Sequence, residues 1–241
     1  MKKVILAYFL LCCFVNLQSQ EPADNPVKSE IKRSHQLKLG ASIQYEWSGW
    51  YYYADDYYYY YDYGYDYTRE LSYYDGPNTQ LFIAYEHIWT FPTRMAVSIE
   101  PKLGLALREY LTSGFVGANW KFYWVDRGNW RMGIYLYTGY EHLNMERSIY
   151  VSMLGGMYQQ RTDITLYQNI FSFDLGMVPF QFTPENTPIT VEMNFNLFGL
   201  RVFNNRSSEY ELGNDQTERY NYTDLGGYGP RIELKVGWNI Q

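Results

Sequence analysis

The stretch Gln36-Leu37-Lys38-Leu39-Gly40-Ala41-Ser42-Ile43-Gln44-Tyr45-Glu46-Trp47 decides the fold. On an extended chain Leu37, Leu39, Ala41, Ile43, Tyr45 and Trp47 share one face, and Lys38, Gly40, Ser42, Gln44 and Glu46 share the other. A period of two over this length is the pattern of a strand with one apolar side. The polar side carries charges of both signs, which is a first sign of what it faces.

The same alternation recurs seven times, at about 79–89, 95–108, 115–125, 130–143, 169–182, 188–202 and 231–241. The third segment sets Val97, Ile99, Leu103, Leu105 and Leu107 against Ser98, Glu100, Lys102, Gly104 and Ala106. The last sets Ile232, Leu234, Val236, Trp238 and Ile240 against Glu233, Lys235, Gly237 and Asn239. Between segments, residues 91–93, 126–129 and 183–187 are short and rich in Pro, Gly, Asn and Asp, as turns are. They alternate with longer connections at 48–78, 109–114, 145–168 and 204–230. Short turns at one end and mostly long loops at the other predict an all-β fold, an eight-stranded antiparallel up-and-down transmembrane β-barrel.

A barrel in water turns its apolar face inward, whereas one in a bilayer turns it outward and encloses the polar groups. The polar faces hold Glu46, Glu86, Glu100, Glu141, Asp174, Glu192 and Glu233 together with Lys38, Lys102, Arg108, Lys121, Arg131, Arg201, Arg231 and Lys235. Seven acids against eight bases predict a narrow lumen filled by paired side chains, because an unpaired enclosed charge is costly. Trp89, Trp124, Trp130 and Trp238 fall at the short-turn end, and Trp47 and Trp50 at the loop end, as two interfacial girdles require.

The ends agree with export. Lys2 and Lys3 precede an apolar run from Val4 to Val15, which predicts a signal peptide over 1–20, a periplasmic leader over 21–35 and the barrel over 36–241. Cys12 and Cys13 are the only cysteines and lie in the apolar run, so the mature chain carries no disulfide and no thiolate site. Without Lys2 and Lys3 the chain holds 18 basic and 26 acidic residues, a net charge of −8, which argues against nucleic acid as a partner. The 28 Tyr and 7 Trp exceed the needs of a core and suit a membrane interface.

On strand count, turn and loop alternation and the exported N-terminus, the chain resembles the small outer-membrane barrels of the OmpA/OmpX type over Gln36 to Gln241. The resemblance implies an outer-membrane protein with both termini in the periplasm, in contact with outer-membrane lipid and lipopolysaccharide. It departs at the end, Trp238-Asn239-Ile240-Gln241, where such barrels commonly finish on an aromatic residue. No peptidoglycan-binding domain is expected after strand eight.

The candidate partner-contact loop lies in the first long connection. Trp50, Tyr51, Tyr52, Tyr53, Asp55, Asp56, Tyr57, Tyr58, Tyr59, Tyr60, Tyr61, Asp62, Tyr63, Tyr65, Asp66 and Tyr67 form an acidic, tyrosine-rich surface. Tyrosine gives broad, rigid contact at low entropy cost, which suits a contact with another envelope protein, while an extended ladder of rings is the structural alternative. That connection carries a net −5 and the last long one −3, so the excess charge of the chain sits on the loop side. Divalent cations would bridge such carboxylates. Asp55-Asp56 and Asp62 to Asp66 do not match an EF-hand, so no metal and no cofactor is expected.

Catalytic groups are sparse. His35 falls in the leader, and His87 faces away from Glu86 because adjacent strand residues point apart. His142, near Glu141, Asn144 and Ser148, is the one grouping that suggests a lipid deacylase, and it lacks a nucleophile motif. The expectation is a non-enzymatic barrel for envelope stability or partner contact. The alternatives are a subunit of a larger complex, a small-solute channel or a lipid-modifying enzyme.

Overall fold

The computed structural model describes residues 31–47, 76–108, 111–127, 129–153, 158–212, 216–219 and 221–240. Strands run over β1 Lys32–Trp47, β2 Gly76–Thr90, β3 Ala96–Arg108, β4 Leu111–Asp126, β5 Trp130–Met153 and β6 Tyr158–Phe182. They continue with β7 Ile189–Asn196, β8 Gly199–Ser207, β9 Tyr210–Leu212, β10 Gln216–Glu218 and β11 Asn221–Ile240. Each neighbour is antiparallel, and β1 pairs with both β2 and β11, which closes the sheet into a barrel. β7 and β8 lie end to end between β6 and β11 and make one stave, so the wall has eight staves. β9 and β10 form a separate small hairpin. Among the described residues there is no helix.

The alternation read from the sequence sets the orientation of every stave. Lys38, Ser42, Gln44 and Glu46 of β1 are buried, whereas Leu37, Leu39, Ile43 and Tyr45 are exposed. The same phase holds around the wall, with Glu86, Glu100, Lys102, Lys121, Glu192, Glu233 and Lys235 inside and Leu81, Leu103, Leu136, Leu175 and Leu234 outside. The polarity is that of a globular protein turned inside out.

Several boundaries differ from those expected. β1 begins at Lys32, inside the presumed leader, and β4 at Leu111. The connection at 145–168 is largely a hairpin, since β5 and β6 stay paired out to Met153 and Tyr158. The connection at 204–230 likewise gives way to β8, the β9–β10 hairpin and a β11 that starts at Asn221. The one-phase alternation of 130–143 does not carry to the end of β5, because beyond Leu143 the apolar residues Met145, Ile149, Val151 and Met153 fall on the opposite phase. Residues 48–75 of the first connection and the presumed signal peptide lie outside the described residues, and β2 begins at Gly76.

The seventh stave is broken where one continuous strand over 188–202 was expected. Ladder pairing runs through Asn196 with Arg231 and resumes at Gly199 with Tyr228. Between them Leu197 and Phe198 face Gly229 and Pro230, and Pro230 has no N–H to give. A Cβ on Gly229 would stand 2.1 Å from the Leu197 carbonyl oxygen, so only glycine fits that approach. The Asn196 carboxamide bridges the gap, accepting from the Arg231 backbone N–H at 3.0 Å and donating to the Phe198 carbonyl at 3.2 Å.

Candidate functional site

The enclosed side chains form the most elaborate constellation among the described residues. Eight carboxylates are buried, and Lys38, Lys102, Arg108, Lys121, Arg201, Arg231 and Lys235 are buried with them. Arg131, 3.2 Å from Asp126, brings the cations to eight. Asp126, in a stretch with turn chemistry, is buried at the end of β4 and makes the count eight against eight rather than the seven against eight that strand periodicity predicts.

The groups lie in tiers. In the first, the Lys38 ammonium contacts Glu86, Glu100 at 3.0 Å and Glu192. Lys121 contacts the same three carboxylates at 3.1, 2.5 and 2.5 Å, and Lys235 reaches Glu100, Glu192 at 2.8 Å and Glu233 at 2.8 Å. Neutral donors complete the shell, with Gln181 donating to Glu86 and Glu192 at 2.9 Å each and the Tyr123 hydroxyl to Glu86 at 2.9 Å. These side chains are at most 1% exposed. A hard cation held by Glu86, Glu100 and Glu192 would occupy the space between them. Two ammonium groups already touch all three there.

A second tier joins Lys102 to Glu233 at 2.6 Å and Arg231 to Asp174 at 2.8 Å. Aromatic faces take part, with Lys102 over Tyr137 at 4.4 Å and Arg231 over Tyr137 at 4.6 Å. The third tier is built on arginine. Arg108 donates to Glu46 at 2.7 Å and through both terminal nitrogens to Glu141 at 2.6 and 3.0 Å, and Arg201 lies 2.7 Å from Glu46.

Aromatic rings also point inward, and the wall makes room for them with glycine. Phe82 lies against Gly40, Tyr135 against Gly176, Tyr137 against Gly117 and Gly139, and Tyr228 against Gly199. An added Cβ at any of these glycines would fall within 2.6 Å of the ring. Gly40, Gly117, Gly139 and Gly176 fall on the polar phase of their strands in the sequence. That Phe82 and Phe115 also turn inward was missed, although the period of two places both on the polar face.

The tyrosine and aspartate residues from Trp50 to Tyr67 lie outside the described residues. Of the histidines, His142 is exposed on the outer surface and shares Asn169 Oδ1 with the Tyr140 hydroxyl, each at 2.8 Å. Glu141 points into the barrel toward Arg108, so the two neighbours act on opposite sides of the wall. His87 and Glu86 part in the same way. His35, expected in the leader, belongs to β1 and stands directly across from His87.

No protein-family model matches the chain, and no curated protein matches it either.

Proposed function

We propose that the protein is a non-enzymatic integral barrel of the outer membrane, with a lumen sealed by its own side chains and loops that stabilise the envelope or contact a partner. The observation that carries this reading is the inside-out polarity. An all-round belt of exposed Leu, Ile, Val and aromatic side chains surrounds sixteen mutually paired charges, an arrangement that water penalises and a bilayer rewards. No helix among the described residues is long and apolar enough to cross a membrane, and the crossing proposed is by strands. Outer-membrane lipid and lipopolysaccharide are the surrounding partners, and residues 50–67 the surface offered to another envelope protein.

Fractionation of cells carrying the full chain tests the location. Recovery in the outer-membrane fraction, with slower gel mobility after boiling, is expected, and recovery as soluble protein overturns the reading. Planar-bilayer conductance tests the seal. A steady ion-selective pore would replace it with the channel alternative. A pull-down with and without residues 50–75 tests the partner surface, where loss of captured envelope proteins on deletion is the expected result.

A further inference from the structure

We infer that His35, His87 and Tyr85 form a transition-metal site on the outer surface of the barrel, with Cu²⁺ as the best-fitting ion. The two histidines are directly opposed across β1 and β2, the position at which antiparallel side chains lie closest. Their Nδ1 atoms are 3.1 Å apart, with the rings edge to face at a centroid distance of 4.4 Å. The Tyr85 hydroxyl contacts the same Nδ1 of His35. His87 Nδ1 and the Tyr85 hydroxyl thus both lie against His35 Nδ1.

The bite is right for a metal. With M–N bonds of 2.0–2.1 Å, nitrogens 3.1 Å apart subtend about 100° at the ion, between the square-planar and tetrahedral values. Two imidazoles and one phenol oxygen, with water in the open positions, make an N2O set of the kind copper prefers. Each nitrogen must present its lone pair to a metal, so any proton held between the two leaves on coordination. The phenol releases its proton to solvent as it coordinates.

The setting favours a specific ion. The cross-strand row runs Ile240, His35, His87, Ile99, so the pair is flanked by apolar side chains with no carboxylate in the row. Hard cations that need oxygen are thereby disfavoured. The Trp89 ring lies tilted against His87, with ring centroids 4.1 Å apart, and limits the rotation of that imidazole. Arg33, paired with Trp89, adds a repelling positive charge nearby, so an ion must gain strongly from imidazole to bind, and copper stands highest in that order. The site does not depend on which compartment or membrane holds the barrel.

The test uses the full barrel, purified without a histidine tag, in detergent micelles and titrated with CuCl2 alone. One equivalent is expected to bind, with an electron paramagnetic resonance spectrum split by two nitrogens. His35→Gln and His87→Gln are each expected to weaken binding roughly tenfold or more and to remove one nitrogen from the splitting. Tyr85→Phe should remove the phenolate-to-copper absorption band and keep both nitrogens. His142→Gln, remote from the pair, should leave the spectrum unchanged. Unaltered heat-dependent gel mobility certifies that each variant is folded. Failure of the wild-type chain to bind saturably, or an unchanged spectrum in the folded His35→Gln, His87→Gln double variant, overturns the site.

Discussion

The lysine tier and the arginine tier of the lumen balance charge by different means. Lys38, Lys121 and Lys235 act as point charges, each shared among three carboxylates, in a region where no side chain is more than 1% exposed. Arg108 instead grips Glu46 and Glu141 with a planar fork, and its tier is 2–6% exposed. Sharing gives compactness, because six small charged heads fit one cross-section. It also makes every member depend on every other. A fork fixes geometry pair by pair and tolerates a little water.

The largest effect is therefore expected in the lysine tier. Lys121→Met leaves three buried carboxylates short of one cation and should lower unfolding stability in micelles by about 3–5 kcal/mol, measured by denaturant titration. Arg108→Lys keeps the charge and loses the fork, with an expected cost of about 1.5–3 kcal/mol in the same assay. A Lys121→Met loss no larger than that of Arg108→Lys would erase the distinction between the tiers. Adding Glu100→Gln to Lys121→Met removes one of the stranded charges, and the double variant should recover about 1–3 kcal/mol relative to additivity. Salt should matter least. Screening reaches buried pairs poorly, so raising ionic strength from about 0.1 to 1 M should leave the wild-type midpoint nearly unmoved, and a marked drop would mean that solvent enters the tiers.

Much of this lumen is legible in the sequence, and the reason is geometric. A strand has two faces, so Lys38 and Leu39 declare their opposite surroundings by adjacency alone. The inward residues from Glu46 to Lys235 follow from that rule, while the pairings among them do not, since they depend on how eight staves are staggered. Asp126 was misplaced because turn chemistry and strand-end chemistry favour the same residue. The ladder over Met145–Met153 and Tyr158–Gln168 is harder to see, because past Leu143 the apolar residues Met145, Ile149, Val151 and Met153 fall on the opposite phase from Met132, Ile134 and Leu136, and a pattern followed in one phase stops there. The break at Leu197 was hidden for a different reason. Its cause, Pro230, lies on the neighbouring stave, and Asn196, which bridges it, looks in sequence like any inward polar residue. The opposition of His35 and His87 was likewise invisible, as it needs the register of β1 on β2.

The six heads of the lysine tier also say something about the order in which a wall can be assembled. Lys38, Glu86, Glu100 and Lys121 come from β1 to β4, so the tier members from these strands are two cations and two anions and balance among themselves. Glu192 arrives with β7 and Lys235 with β11, one of each sign, at the closing seam. A β11 that docked one residue out of step would turn Lys235 and Glu233 to the apolar outside and leave Glu192 facing a hole. The tier thus rewards only the correct seam, and it does so at the last step, when a misjoined barrel is most in need of rejection.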